Sequence, residues 1–331
     1  MTQQNRQWRL RARPDAVAKE SDFELHREPM PVPEDGQFLA RTRLLSFEPA
    51  MRGWMEDRPN YIPPVGLGDV MRGIAVSEVV ESRVEGYAPG DLVTGMTGWQ
   101  EFSLGGAGTR RLDPGMDPKA ILSVLGLTGM TAYFGLLEVG AAKEGDTVVV
   151  SGAAGATGSV VGQIARVKGC RVVGIAGGPE KCRWLTEEAR FDAAIDYKNE
   201  DIGERLSALC PEGIDVFFDN VGGAALDAAL ARIARGARVV ICGAVERYSM
   251  SELPPGPANY INLMIQRARM EGFVVLDHAA RFGEATAALE GWVKSGDLVW
   301  QVDIQKGFEN VPKTLLRLYT GANQGKQLLE V

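Results

Sequence analysis

The sequence is poor in metal-binding side chains. It holds two histidines and four cysteines among 331 residues, with no C-x-x-C pair. A catalytic zinc site needs three protein ligands, commonly cysteine, histidine or carboxylate, and a structural zinc lobe draws on cysteines that lie close together. The first 120 residues contain His26 and no cysteine, so we expect no metal. We expect the four cysteines to be small buried side chains in a reducing compartment.

Long apolar runs and basic clusters are also missing. No apolar run approaches the ~20 residues of a membrane-spanning helix, and the polar first 13 residues lack the apolar core of a secretion signal. The net charge is −7, without a run dense in Lys and Arg, which argues against a nucleic-acid partner. Arg9, Arg11 and Arg13 alternate, as on a solvated strand face. We therefore predict a cytoplasmic protein that binds neither nucleic acid nor membrane.

Apolar patterning divides the chain into two kinds of segment. The first part carries short β-type runs at 37–47, 74–83 and 91–104, cut by glycine and proline, as in a mostly β domain. From residue 127 a helical pattern reaches 139, where Gly140 would cap it, and strands then alternate with helices. The predicted strands are 147–151, 171–176, 193–196, 214–220 and 237–243, and the predicted helices are 157–168, 180–188, 201–209 and 224–233.

This alternation predicts the α/β class, with a doubly wound parallel sheet of the Rossmann type. Runs such as 148–150 and 216–218 are apolar throughout, as in strands that are covered on both faces. We place a mostly β domain at 1–125 and the Rossmann domain at 126–302. Further helices are predicted at 279–295 and 310–320, and a last strand at 327–331. We expect the segment 303–331 to return to the first domain.

The stretch SGAAGATG at 151–158 follows an apolar strand and opens a helix. Ala153, Gly155 and Gly158 take the three positions of the dinucleotide-binding fingerprint, where the second glycine lets the backbone approach a pyrophosphate and the third lets helix and strand pack closely. The helix N-terminus adds N–H groups and a positive dipole end. The predicted cradle consists of Gly152, Ala154, Gly155, Ala156, Thr157 and Gly158.

The end of the second Rossmann strand favours NADPH over NADH. An NAD-binding enzyme usually carries a carboxylate there, for the ribose 2′-hydroxyl. Here the strand ends in Ala-Gly-Gly, with Gly177 in the middle, and Lys181 follows. A lysine can neutralise a 2′-phosphate, although Lys181 could also be a solvated helix residue. Glu180 lies in the first helical turn and is expected to serve the helix dipole.

Several segments in order resemble the zinc-independent medium-chain reductases. The likeness is greatest to the leukotriene B4 12-hydroxydehydrogenase / prostaglandin reductase family, which includes plant alkenal double-bond reductases and bacterial curcumin reductase. The segments are EPAMRG at 48–53, GDVMRG at 68–73, GLTGMTAYFG at 126–135, the cradle, DYK at 196–198, DNVGG at 219–223, ICGA at 241–244, LPPGP at 253–257 and GANQGK at 321–326. The resemblance implies a GroES-like catalytic domain, a homodimer, and hydride transfer from NADPH to the β-carbon of an α,β-unsaturated carbonyl.

The resemblance also implies residue roles. Lys181 and Tyr197 would hold the 2′-phosphate. The other implied cofactor residues are Asn220, Cys242, Gly243, Tyr248, Phe273, Val275 and Asn323. Tyr248 sits where the family has its active-site tyrosine, and a phenol that is protonated at neutral pH could stabilise an enolate. It could also be a half-exposed loop tyrosine.

One departure concerns the substrate pocket. The family commonly has a tyrosine where this chain has Ala50, which predicts a wider or reshaped pocket. We expect the substrate to be a small-molecule, apolar unsaturated carbonyl compound, which could be bulky. Trp54, Tyr61 and Tyr260 are further candidates for the pocket, although each could simply pack in the core or at its rim. Two other functions stay open: a quinone reductase of the same superfamily, and an NADPH-binding protein without turnover.

Overall fold

The computed structural model describes residues 4–252 and 254–331, so Leu253 of the 253–257 motif lies outside it. The strands are β1 Gln4–Leu10, β2 Phe23–Pro29, β3 Gln37–Ser46, β4 Ala75–Ser82, β5 Leu92–Gly95, β6 Phe102–Gly106, β7 Arg110–Arg111, β8 Thr147–Ser151, β9 Arg171–Ala176, β10 Ala193–Asp196, β11 Ile214–Asp219, β12 Ile233–Ile241, β13 Arg269–Gly272, β14 Val302–Lys306 and β15 Lys326–Glu330. The α-helices are α1 Met51–Trp54, α2 Pro118–Ile121, α3 Leu127–Phe134, α4 Ala156–Val167, α5 Pro179–Glu187, α6 Ile202–Leu209, α7 Gly223–Leu230, α8 Ile261–Ile265, α9 Phe282–Ser295 and α10 Val311–Thr320.

The chain forms two compact units. The first contains the described residues up to Leu122, with Val302–Asn323 and Gln327–Val331, and the second contains Ser123–Gln301 and Gln324–Lys326. Within the described residues, no helix is both long and apolar enough to cross a membrane.

The second unit is built on a six-stranded parallel sheet in the order β10-β9-β8-β11-β12-β13. Its central strands are apolar and buried on both faces, for example Val149 and Phe217, because helices cover each side of such a sheet. The strand order reverses between β8 and β11. In open α/β sheets, ligands bind outside the carboxyl ends of the strands at this reversal, which here are Ser151 and Asp219. The predicted fold class is confirmed.

The helix predicted at 127–139 changes character halfway. It is an α-helix to Phe134 and continues as a π-helix over Gly135–Val139, with the N–H of Gly140 bonded to the carbonyl of Gly135. A β-carbon on Gly135 would lie 2.5 Å from the Phe273 ring and 2.8 Å from the Phe218 ring. Glycine is therefore needed where this helix meets the sheet. The helix predicted at 279–295 also differs at its start. The α-helix α9 begins at Phe282, and a 3-10 helix over Val275–Arg281 precedes it.

The first unit carries a mostly antiparallel sheet in the order β14-β15-β3-β4-β5-β7, with β6 also paired to β3. The C-terminal strand β15 joins it by pairing antiparallel with β3. The run predicted at 91–104 forms two strands, because Gly98 turns the chain between them with a φ of +77°. The core is centred on buried Trp99, whose ring lies 5.2 Å from Phe23 and 5.6 Å from Phe47 between centroids.

The prediction of a solvated face for the alternating arginines was wrong for Arg13. Its guanidinium is partly buried and donates to the backbone carbonyls of Met55, at 2.7 Å, and Val65, at 3.2 Å. The chain leaves β1 at Leu10, so the alternation of the strand no longer applies at residue 13. Arg13 therefore fixes the loop that follows α1.

Candidate functional site

The predicted cradle connects β8 to α4. Gly152 turns the chain with a φ of +58°, a left-handed conformation that favours glycine. A β-carbon on Gly158 would lie 2.4 Å from the carbonyl oxygen of Gly152, so the third fingerprint glycine is required by close packing. Ala153 stands at the first fingerprint position, but the residue that makes the tight turn is Gly152. Ala153 is buried and its N–H donates to the Ile175 carbonyl.

The start of α4 fits a diphosphate. Gly155 is the N-cap residue in extended conformation, and it has no side chain to satisfy the N–H groups of the first turn. An α-helix leaves these groups without intrahelical partners, and they favour an anion. They belong to Ala156, Thr157 and Gly158, while the N–H of Ser159 bonds to the Gly155 carbonyl. The predicted cradle is therefore geometrically suited to the diphosphate of a dinucleotide.

The tip of β9 lies beside the end of β10. A β-carbon on Gly177 would lie 2.8 Å from the ring and hydroxyl of Tyr197, so this ring packs directly on the glycine. Asp196 holds the arrangement, since its carboxylate accepts the N–H of Gly178 at 2.7 Å and that of Lys198 at 3.1 Å. Lys181, partly buried, is the third residue of the helix that begins there.

Asp196 was not singled out in the sequence. Burial alone would raise the pKa of its carboxyl group, but hydrogen bonds from Asn199, Gly178 and Lys198 outweigh burial and lower it. The carboxylate is thus hydrogen-bonded within its own turn and to Gly178. Its oxygens are engaged by these bonds, unlike the carboxylate that binds the ribose 2′-hydroxyl in an NAD-binding enzyme, which agrees with a ribose that carries a 2′-phosphate. Asp196 ends β10 and directly precedes a turn over 197–199. A carboxylate beside a turn is common, so the sequence offered little to identify it.

Asn220 and the residues after β12 meet at the strand-order reversal. The side-chain amide of Asn220 donates to the carbonyl of Ser151, at 2.7 Å. The N–H groups of Cys242 and Gly243 donate to the carbonyl of Asp219, at 2.9 and 3.1 Å. Burial, with the Asp219 charge, raises the pKa of the Cys242 thiol to about 12, so this thiol is protonated at neutral pH and is a poor nucleophile.

Tyr248 lies on a 3-10 helix over Val245–Ser249 and is partly buried. The N–H of Val245 donates to the Asn220 carbonyl at 3.2 Å, and the N–H of Glu246 donates to the Val221 carbonyl at 3.2 Å. The turn that carries Tyr248 is therefore hydrogen-bonded to the loop that contains Asn220, which was predicted to line the cofactor.

The remaining predicted cofactor residues occupy different places. Phe273, just after β13, packs edge-on against Phe218 with 6.5 Å between ring centroids. Val275 is partly buried at the start of a 3-10 helix. Asn323 lies two residues before Gly325, which forms an isolated parallel bridge with Gly155 of the cradle. The contact of Gly325 with the cradle was missed in the sequence.

Three predicted pocket residues lie in the first unit. Trp54 is 5% exposed, and its indole N–H donates to the Tyr61 hydroxyl at 3.2 Å, while Tyr61 is 52% exposed. Ala50 is partly buried against the hydrophobic core. Tyr319 of α10, not identified from the sequence, donates its hydroxyl to the Pro49 carbonyl at 3.4 Å and so lies next to Ala50. The fourth residue, Tyr260, belongs to the second unit and is 61% exposed.

The parallel sheet, the glycine cradle and the loops at the strand-order reversal define a dinucleotide-binding oxidoreductase. A family model described as "N-terminal domain of oxidoreductase" matches residues 6–110, and one described as "Zinc-binding dehydrogenase" matches residues 156–291. Within 4–252 and 254–331, no group of three or more His, Cys, Asp or Glu residues could hold a metal ion.

Whole-chain relatives narrow this class. The chain is 43% identical to the NADPH-dependent curcumin reductase of Escherichia coli K12, over 99% of this chain and 97% of that protein. It is 38% identical to the NADP(+)-dependent 2-alkenal reductase of Nicotiana tabacum, over 95% and 93%. The crystal structure of CurA from Vibrio vulnificus with NADPH superposes with a TM-score of 0.94, at 39% identity over 98% and 99%. The chain belongs to the zinc-independent medium-chain family of alkenal, prostaglandin and curcumin reductases, and that predicted resemblance is confirmed.

Proposed function

We propose that the protein reduces the C=C bond of α,β-unsaturated aldehydes and ketones with NADPH. The observation that carries this proposal is that Asn220 is hydrogen-bonded both to the strand before the predicted diphosphate cradle and to the turn that carries Tyr248. Asn220 is bonded to the strand end before the cradle, and its carbonyl accepts the first N–H of the turn that carries Tyr248. Relatives across the whole chain are named as reductases of curcumin and 2-alkenals. The enzyme is an NADP-dependent oxidoreductase.

NADPH is the cofactor, and when bound it supplies the hydride. Gly152–Gly158 would hold its diphosphate, and Lys181, Gly177 and Tyr197 its 2′-phosphate. Asn220, Cys242, Gly243, Phe273, Val275 and Asn323 would line the rest of its site. In this proposal 1–125 is the catalytic domain, 126–302 binds the cofactor, and 303–331 completes the catalytic domain.

Tyr248 would hold its phenolic proton next to the carbonyl oxygen of the substrate. Charge develops on that oxygen as the β-carbon is reduced, and a hydrogen bond that strengthens with this charge lowers the barrier. An ordinary phenol is protonated at neutral pH and needs no activating base to donate. In this proposal Tyr248 donates the hydrogen bond or proton to the substrate oxygen, while NADPH supplies the hydride.

The substrate side would involve Ala50, Trp54, Tyr61 and Tyr260. A small side chain at position 50 leaves room for a bulky apolar substituent, while Trp54 and Tyr61 offer aromatic surface. Quinones are the alternative acceptor. Steady-state oxidation of NADPH with a panel of enones and quinones separates the two: faster turnover of enones supports the proposal, and turnover of quinones alone would contradict it.

A second copy of the chain is the proposed partner. In the second unit, one stretch exposes six large apolar side chains by 41–70%: Tyr260, Ile261, Met264, Ile265, Met270 and Leu276. Strand β13 lies at the end of the sheet, and its outer edge pairs with no strand of the described residues. Such an edge is a template for another chain.

The sequence of β13 suits pairing with itself. Its residues are Arg269, Met270, Glu271 and Gly272, all exposed. If two copies pair antiparallel around Met270, each Arg269 faces the Glu271 of the other copy, and opposite charges across a pair are favourable.

The proposed location is the cytoplasm. This proposal rests on the four cysteines, none of which forms a disulfide, as is usual for proteins in a reducing compartment.

A further inference from the structure

The loop between β11 and α7 is organised by a buried carboxylate. Asp219 is 1% exposed. Its Oδ1 accepts the N–H groups of Val221 and Gly222, each at 3.0 Å, and its Oδ2 accepts the Gly222 N–H at 3.1 Å. Residues 219–223, here the 219–223 loop, are thus fixed by hydrogen bonds to the first side chain in the loop.

Ser151 connects this carboxylate to the strand before the cradle. Its hydroxyl donates to Asp219 Oδ1 at 2.7 Å and accepts the N–H of Asn220 at 2.8 Å. Every partner of the Asp219 carboxylate is therefore a donor, which suits an acceptor-only group. Burial raises the pKa of Asp219 against the opposing effect of these hydrogen bonds.

The 219–223 loop in turn supports the segment that leads to Tyr248. The Asp219 carbonyl accepts two N–H groups of the residues that follow β12, and the next two loop carbonyls accept the N–H groups of Val245 and Glu246. The carboxylate of Glu246 also lies against Gly223 of the loop, so close that a β-carbon on Gly223 would overlap it. Tyr248 comes two residues later, so its location depends on that of the loop.

We propose that Asp219 is a positioning residue for catalysis: its carboxylate orders the 219–223 loop, and the loop places the phenol of Tyr248. The proposal rests on the proposed function of Tyr248. The Asp219 carboxylate is bonded to loop N–H groups and to the Ser151 hydroxyl, so it would act through the backbone of the loop.

A merely structural role would be to clamp β8 to β11, and the same two strands contain a matched control for it. At their opposite ends, Asp215 Oδ2 accepts the N–H of Thr147 at 2.8 Å. Asp215 thus joins the same strands as Asp219 but lies at the amino ends of the strands, away from the cradle. Removing either carboxylate weakens a β8–β11 contact, and only Asp219 is connected to Tyr248.

The experiment is a double-mutant cycle that combines Asp219→Asn with Tyr248→Phe, with Asp215→Asn as control. Asp219→Asn should lower kcat for an enone by about tenfold, since a general acid contributes at least that much, with a smaller effect on the Kd of NADPH. Asp215→Asn should lower Tm by less, because Asp215 is only partly buried and its carboxylate accepts the Thr147 N–H, while kcat stays within about twofold. In the Tyr248→Phe background, Asp219→Asn should change kcat by less than about twofold, because residues acting as a unit are not additive.

Additive losses of kcat would overturn the proposal, as would an Asp219→Asn variant whose kcat matches that of Asp215→Asn. If Asp219→Asn does not fold, Ser151→Ala removes the hydroxyl bond and enters the same cycle with the same expectation. An unchanged kcat in Tyr248→Phe would overturn the proposed coupling between Asp219 and Tyr248. Enone turnover by the unaltered protein would still support the proposed function. No enone turnover by the unaltered protein would overturn both.

Discussion

The ring of Tyr197 packs on the α-carbon of Gly177, where a β-carbon would lie 2.8 Å from the hydroxyl. Gly177 stands at the tip of β9, where an NAD-binding enzyme usually presents a carboxylate. A side chain at this position would displace the ring of Tyr197. The contact therefore requires glycine at the tip of the strand, where the proposed function places the 2′-phosphate, beside the helix that carries Lys181.

Lys181→Ala should raise the KM for NADPH by about tenfold, since a charge-assisted bond to phosphate is worth roughly 1.5–3 kcal/mol. The KM for NADH should change by less than about twofold, because NADH lacks the 2′-phosphate. Arg183→Ala is the matched control, since it removes one exposed positive charge from the same helix. Equal effects of Lys181→Ala on both cofactors would refute the 2′-phosphate assignment.

Ala50→Tyr should lower kcat/KM for bulky aryl enones much more than for short 2-alkenals, because a phenol would fill space beside Pro49. Tyr319→Phe is the control: it keeps the neighbouring ring and removes its hydroxyl, which donates to the Pro49 carbonyl at 3.4 Å. It should leave both substrate classes nearly unchanged. A uniform loss for both classes in Ala50→Tyr would mean that residue 50 does not set substrate size.

Most elements of the second unit could be predicted to within a few residues, because their strands are continuous apolar runs. The cradle could be predicted because glycine spacing is a local signal. The carboxylates Asp196 and Asp219 could not, since their work is to accept N–H groups that the fold brings near. Arg13 and Tyr319 were missed for the same reason: their partners lie 42 and 270 residues away.

The first unit should lose stability in acid through Asp303. Burial alone would raise the pKa of this carboxyl group, but hydrogen bonds from Arg317, Gln305 and Gln327 and the charge of Arg317 outweigh burial and lower it. A lowered native pKa stabilises the fold above the ordinary carboxyl pKa of about 3.9, and this contribution disappears as the pH falls through the native value.

Asp303→Asn should therefore lower Tm by a few degrees at pH 7 and converge on the unaltered protein in strong acid, as followed by circular dichroism from pH 7 to pH 2. Asp297→Asn is the control, because Asp297 is more exposed and lies 3.9 Å from Arg166. It should shift Tm little at any pH. A constant difference in Tm across the whole range for Asp303→Asn would exclude the ionic origin.

Charge order on β13 tests the proposed homodimer. Glu271→Arg should weaken association, because arginines of the two copies would then face each other, and like charges directly opposite are destabilising. The double change Arg269→Glu with Glu271→Arg should restore it, since the reversed order is again self-complementary. Sedimentation velocity measures this. A dimer unaffected by Glu271→Arg would place the interface elsewhere, and a monomeric unaltered protein would refute the proposal.

The position of the transferred hydride tests enone reduction most directly. The protein is incubated with a 2-alkenal and NADPH that carries deuterium at the reactive C4 position, and the product is analysed by NMR. We predict a saturated aldehyde with deuterium on its β-carbon. An allylic alcohol with deuterium on the former carbonyl carbon, or an alkenal recovered unchanged, would contradict the proposed function.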